Sequence, residues 1–295
     1  MHPPIDTKRL DNNPIIHPAL DDSLGDNING PSLIRAPAWL DNPLGRYYLY
    51  FAHHDGDHIR LAYSDALEGP WRIYPGGVLS LERAGFKGHI ASPDVHVDEK
   101  ARRIRMYFHG ADAGSEANPP QETRLALSDT GLSFSAEPEN LGPAYFRVFH
   151  WQQCVYALAM PGVIYRSADG QSRFEQGPDL GTSNMRHSAV RVNGERLDVF
   201  YSNIGDCPEA ILYSSIDLKA DWSGWRLPSP SPVIAPEFDY EGANQPLLAS
   251  VVGMARQPMH QLRDPAVFSD GGRDYLLYSV AGERGIAIAE VTGRR

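Results

Sequence analysis

Cysteine is nearly absent from this chain. Cys154 and Cys207 are its only two thiols, so no disulfide framework can stand in for a hydrophobic core. Cationic charge is scarce too: Lys and Arg number 27 against 37 Asp and Glu, a formal net charge of −10. No stretch gathers the basic stripe that phosphates require, which argues against nucleic acid as a partner. Long apolar runs are missing, and nothing approaches the roughly 20 residues of a membrane span. The opening MHPPIDTKRLDNNP lacks the apolar stretch of a secretory signal, so a cytoplasmic protein without a membrane partner is expected. No HExxH, CxxC pair, calcium loop, phosphate-cradling glycine loop or GxSxG elbow occurs.

What the chain has is turn formers and apolar strand runs. Its 24 Pro and 27 Gly accompany 42% apolar residues and 10% aromatics, a composition of many short strands. YYLYFAHHD from Tyr47, IRMYFHGAD from Ile104, LDVFYSNIG from Leu197 and DYLLYSVAG from Asp274 are each followed by a second run: IRLAYSD, TRLALSD, AILYSSID and GIAIAEV. A fainter copy, CVYALAM then GVIYRSADGQSRF, fills the gap after the second pair and makes five units. Strand–turn–strand units of irregular length, without a helical period, predict one all-β domain over residues 1–295, a five-bladed β-propeller. A β-sandwich is the competing arrangement. The last unit stops after GIAIAEV, one strand short. Ile15–Leu20 are expected to supply that strand and close the ring, with residues 1–13 an irregular arm that tolerates trimming.

The segments that open the units, NINGPSLIRAP, HIASPDVHVD, RVFHWQQCVYA, NMRHSAVRV and HQLRDPAVF, would be the innermost strands. Their beginnings converge at one channel mouth, which brings together Asn29, His89, Asp94, His150, Arg186, His187, Arg263 and Asp264. His53 and His54 after the first leading run, and His109 at the matching place in the second unit, are expected on the rim. Trp151 and Gln153, with Trp39 and Tyr145 nearby, offer aromatic faces and an amide suited to a sugar, whereas Trp71, Trp222 and Trp225 are assigned to the core. SDGGRD reads as a hairpin turn.

The SPDV and RDPAVF openings, with YYLYF and the Ser-Asp turns, resemble the five-bladed furanosidase superfamily of glycoside hydrolase families 43, 32, 117 and 130, over residues 14–291. The resemblance implies a glycosidase acting on a small carbohydrate, with no cofactor required. In family 43 a first-blade Asp before Pro is the base, an Asp in a second-blade Pro-Asp motif tunes and orients, and a later Glu is the acid. Asp94 matches the second role, but the first place holds Gly30 after Asn29, neither of them a carboxylate. Asp264 is the expected replacement, because the fifth blade adjoins the first and its Arg-Asp-Pro resembles the family 32 motif that holds sugar hydroxyls. Glu241, in the connection EFDYEGANQPLLAS, is the chosen acid, and His187 a second candidate because family 117 is thought to use a His there. An inverting pair of carboxyls stands about 6.5–9.5 Å apart, one protonated and one ionised.

Structural roles compete with each assignment: a salt bridge or turn cap for Asp94, Arg263 and Asp264, a solvated loop for Glu241, turn hydrogen bonding for His53, His54 and His109. His89, His96, His150, His187 and His260 show no diagnostic metal spacing, and a bound metal would take the form of a structural divalent cation in the channel. Two other functions stay open. A sugar-binding propeller without catalysis is suggested by Gly30, and a metal-dependent hydrolase of another bond, such as a lactone, is the weaker alternative.

Overall fold

Runs such as Tyr47–Ala52 are apolar at every position because both of their faces are covered. Tyr48 and Tyr50 point into one inter-sheet core while Leu49 and Phe51 point into the next, the two-residue alternation of a strand buried on both sides. The computed structural model describes residues 5–112 and 120–293, with no α-helix among them. Five antiparallel sheets follow one another along the chain, each running from an innermost to an outermost strand. The innermost strands are Asn29–Arg35, His89–Asp98, Arg147–Trp151, Met185–Asn193 and Arg263–Asp270. Five apolar clusters fill the five spaces between neighbouring sheets, so the sheets form a ring, the five-bladed β-propeller expected. Trp71 and Trp225 are buried in these clusters and Trp222 packs against one.

The repeated Ser-Asp turns have a local cause. Ser64, Ser128 and Ser167 each turn their hydroxyl back to accept backbone N–H groups two or three residues on, which reverses the chain towards the outer strand. The turns also lock blades together: Tyr50 of blade 1 donates to the Gly131 carbonyl of blade 2, and Tyr107 of blade 2 to Gly170 of blade 3. Asp270 pairs with Arg273 across Gly271 and Gly272, whose φ of 58° and 78° make the tight hairpin read from SDGGRD.

Ring closure uses an earlier segment than expected. Ile5–Arg9 is the outermost strand of blade 5, pairing antiparallel with Ile286–Gly293 from Ile5 opposite Gly293 to Arg9 opposite Ala289. IDTKR carries no apolar strand pattern because an edge strand keeps one face polar, and its residues alternate half-buried and exposed. Ile15–Leu20 instead contribute a single bridge from Ile16 to Ile286, two buried isoleucines and a turn of 3-10 helix over Pro18–Leu20.

Candidate active site at the channel mouth

Four of the five innermost strands carry an irregularity at the same place. Pairing slips between Asn29 and Ser32, Ala91 and Asp94, Met185 and Ser188, and Arg263 and Ala266. In blades 2, 4 and 5 the bulged stretch brings Ser92, His187 and Asp264 to the lining of the mouth. Gly30, Ser92, Tyr145 and Asp264, one from each of four blades, sit there with φ of 61°, 48°, 65° and 47°. Three non-glycine residues in the left-handed region around one opening is the pattern by which backbone strain marks a functional site.

The cavity above them measures ≈ 430 Å³, within the roughly 300–1,000 Å³ of small-molecule sites. Asn29, His54, Arg186, His187 and Asp264 line it, as the sequence predicted, together with Tyr145, Ser92 and Glu283. Asp264 is buried, its Oδ1 2.7 Å from His187 Nδ1 and its Oδ2 accepting from Ser279 Oγ at 2.9 Å. Burial opposes its negative charge, but His187, Ser279 and Arg263 outweigh that and hold the carboxyl well below the usual range.

Glu283 is the site residue that sequence reasoning missed. Its Oε2 accepts from Asn27 at 2.6 Å and Asn29 at 3.3 Å and lies 3.4 Å from His54 Nδ1, while Oε1 accepts from Arg263 at 3.0 Å. Burial again opposes the charge, and the His54 hydrogen bond and charge again prevail, so Glu283 is held ionised. Reciprocally, Glu283 raises His54 against its own desolvation. Between these two pairs runs an arc of rings, His54–His89 at 5.4 Å, His89–His109 at 5.5 Å, His109–Tyr145 at 4.2 Å and Tyr145–His187 at 4.5 Å between centroids. Desolvation pushes His89 down to about 4 and holds His109 well below its ordinary value, and both ring nitrogens of buried His109 lack a protein partner.

Several expected site residues lie elsewhere. Glu241 is fully buried at the blade 5 edge, bound by Arg9 and Tyr278 and by the backbone N–H groups of Glu237 and Phe238, so it is a structural anchor and does not line the cavity. Asp94 stands one residue past its bulge, and so points into the channel below the mouth, where it accepts from His96 and from the Val148 N–H. It lines a separate cavity of ≈ 360 Å³. Blade 3 begins at Arg147, which puts His150, Trp151 and Gln153 at the far end of that strand and its hairpin, away from the mouth. His53 accepts from the Asp55 N–H, the turn role. Arg263 stands behind the wall, tying Glu283 to Glu209 and Gln261.

Among the described residues no group of three or more His, Cys, Asp or Glu side chains is placed to hold a metal ion. The channel centre does not fit a divalent cation either: the carbonyls of Ser92, Pro93, Phe146 and Ser188 that face it accept from the buried Arg147 guanidinium. The positive charge there is a side chain.

Fold and mouth together define a five-bladed β-propeller with one ligand-sized cavity at its channel mouth. Among solved structures, a thermostable family-43 glycoside hydrolase superposes with a TM-score of 0.63 at 15% identity, covering 90% of this chain and 89% of that one. A family-43 β-xylosidase/α-arabinofuranosidase from a compost microbial metagenome, crystallised with xylotriose in a calcium-free form, gives 0.64 at 13% over 98% of both chains. The α-L-arabinofuranosidase of Lactobacillus brevis gives 0.61 at 13% over 95% and 92%. No protein-family profile matches the sequence. An uncharacterized protein of Acanthamoeba polyphaga mimivirus is 36% identical over 299 residues, covering 90% of this chain and 83% of the viral one, and this chain belongs to the same family.

Proposed function

We propose that the protein is a glycoside hydrolase-like enzyme that cleaves a small oligosaccharide or glycoside bound at the channel mouth. One observation carries the reading: two buried, ionised carboxylates, each paired with an imidazole, face a single ligand-sized cavity of a furanosidase-type propeller. Asp264 takes the Nδ1 side of His187 and leaves Nε2 as the ring nitrogen free to pass a proton to a leaving-group oxygen. Glu283, held ionised, supplies the second charge: it takes a proton from the water whose oxygen bonds to the anomeric carbon as the protonated leaving group departs, and it opposes the positive charge that develops on the sugar ring. Asn29 and Arg186 meet hydroxyl groups, and Tyr145 offers its ring to a CH face. Pentose-containing substrates are favoured, because a structural neighbour is a β-xylosidase/α-arabinofuranosidase crystallised with xylotriose. The unpaired thiols of Cys154 and Cys207 accord with a cytoplasmic setting.

Reducing-sugar release from xylo- and arabino-oligosaccharides tests this. Parent protein should turn over at least one of them, and His187→Gln or Asp264→Asn should lower kcat by about 10²–10⁴-fold, the scale of proton-transfer catalysis. A non-catalytic sugar-binding propeller is the second reading, favoured because Gly30 replaces the blade 1 carboxylate and both mouth carboxyls are held ionised. Binding without product release from any sugar decides for it.

A further inference from the structure

The mouth cavity joins a polar floor to an apolar outer wall. Asn29, His54, Arg186, His187, Asp264 and Glu283 line the floor from blades 1, 4 and 5, while Met160, Ile204 and Val252, from the loops that follow strands of blades 3 and 4 and from the connection between blades 4 and 5, supply the apolar wall. The apolar side continues outward onto the surface: Leu247, Leu248, Val251 and Val252 are 58%, 51%, 65% and 74% exposed, the largest such group of aliphatic side chains on the described surface. These side chains are not on a loose loop. Arg186 donates to the carbonyls of Val251 and Gly253, Arg263 donates to Gly253 at 3.2 Å, and Ser250 exchanges backbone hydrogen bonds with Gly205 and Asp206. The same two buried arginines hold Glu209, and Arg263 holds Glu283, so the loop that presents the valines is fixed by the groups that build the polar side. Exposed aliphatic residues on a pinned backbone, continuous with a ligand cavity, mark a binding surface.

We propose that this site takes an amphiphilic glycoside, with its sugar against Asn29, His54, His187 and Glu283 and an alkyl or aryl aglycone running out over Met160, Ile204 and Val252. The inference rests on the proposed function and narrows its substrate class. A two-sided cavity selects a two-sided ligand, since the apolar wall gains nothing from a second polar sugar and loses contact area to water if left bare. Burial of two methylenes already strengthens binding roughly tenfold.

Matched methyl and octyl glycosides of xylose, arabinose, glucose and galactose, titrated calorimetrically into the full chain below their micelle concentrations, test this. For the sugar that binds, the octyl member should bind tighter by about tenfold or more. In the Val251→Ser/Val252→Ser variant the ratio of the two dissociation constants should fall towards one. Equal affinity of methyl and octyl members in the parent overturns the aglycone site and leaves the glycosidase reading standing. Equally tight binding of a sugar-free octyl amphiphile, or no binding by any member, overturns both. Self-association of the parent by sedimentation that the double variant abolishes assigns the aliphatic loop to a second copy of the chain and overturns the inference.

Discussion

Arg9 is the point at which the closing strand is fastened, and replacing it should loosen the whole ring. Its guanidinium donates to both oxygens of Glu241, at 2.7 and 3.0 Å, to the Ala235 carbonyl at 2.7 Å and to Glu237 at 2.9 Å. Glu241 has no exposed surface, so Arg9→Met strands a carboxylate inside the protein. Loss of one partner of a buried ion pair costs about 3–5 kcal/mol. The Tyr278 hydroxyl at 2.9 Å and two backbone N–H groups stay on Glu241, which places the loss near the lower end, about 3 kcal/mol. At roughly 2.1 cal/mol/K of unfolding entropy per residue, a chain this long would then melt about 5 °C lower. Glu241→Gln should lose a similar amount by orphaning Arg9, and the double variant should lose less than the two singles together, because neither charge is then stranded. Thermal melting gives the stabilities, and sugar release from the best substrate gives the activities. A Glu241→Gln protein that melts like the parent but has lost turnover would refute the structural assignment and restore Glu241 as an acid. Melting within 1 °C of the parent for both single variants would refute the clamp.

Stability should fall as the solution is acidified from neutrality, in two stages. His89, held down to about 4 in the fold, and His109, also held well below its ordinary value, stay neutral where the unfolded chain takes up protons below about 6.5, so His89 alone should remove about 2 kcal/mol between pH 7 and pH 5. His54, raised by Glu283, works the other way: its contribution is complete below about 6.5 and fades as the pH rises through its folded value. Below about 4 the depressed carboxyls Asp264 and Glu283 lose their contribution in turn. Urea midpoints at pH 7 and pH 5 measure the first stage; a His89→Gln variant with the parent's slope would contradict it. Gly30→Asp, which puts a carboxylate at the blade 1 bulge, should cost about 1–3 kcal/mol and add no activity, because φ is 61° and a Cβ would lie 3.1 Å from Ser92 Cα and 3.2 Å from its Oγ. A stable, faster Gly30→Asp enzyme would show that the mouth can accept a second base there.

The ring was legible in the sequence because each blade repeats the same physical problem. Its middle strands are buried on both sides and read as unbroken apolar runs, and its turns need Ser, Asp and Gly where the hydroxyl bonds back to the chain. The closing strand was harder to read, since Ile5–Arg9 is an edge whose pairing depends on Ile286–Gly293 at the other end of the chain. At the site, residues at the starts of the innermost strands were legible, because the architecture alone gathers Asn29, His187 and Asp264. Glu283 was not. In the stretch Ala281-Gly282-Glu283-Arg284-Gly285 it reads as a solvated turn carboxylate, and only Asn27, Asn29, His54 and Arg263, drawn from two blades, explain its burial. Glu241 failed for the converse reason: a long glycine-containing loop suggested function, whereas its partner lay more than two hundred residues away in the strand that closes the ring.

The bulges connect these observations to the chemistry. Because the same irregularity recurs around the ring, the position occupied by Gly30 in blade 1 is occupied by Asp264 in blade 5. Blade 1 cannot carry a side chain there while Ser92 of blade 2 is packed against the Gly30 backbone, and blade 5 can, with the left-handed φ of 47° held by Ser279 and His187. The carboxylate at this position around the ring is therefore the one on blade 5. It then faces Glu283 and His54 across the closure between blades 5 and 1, with the apolar wall of Met160, Ile204 and Val252 opposite. The strand that seals blade 5 is therefore part of the site's foundation. Arg9 fixes Glu241, the Glu241 carbonyl accepts from the Ala281 N–H, and Ala281 begins the turn from which Glu283 reaches the cavity. Loosening the closure should be felt at the carboxylate pair before it is felt anywhere else in the ring.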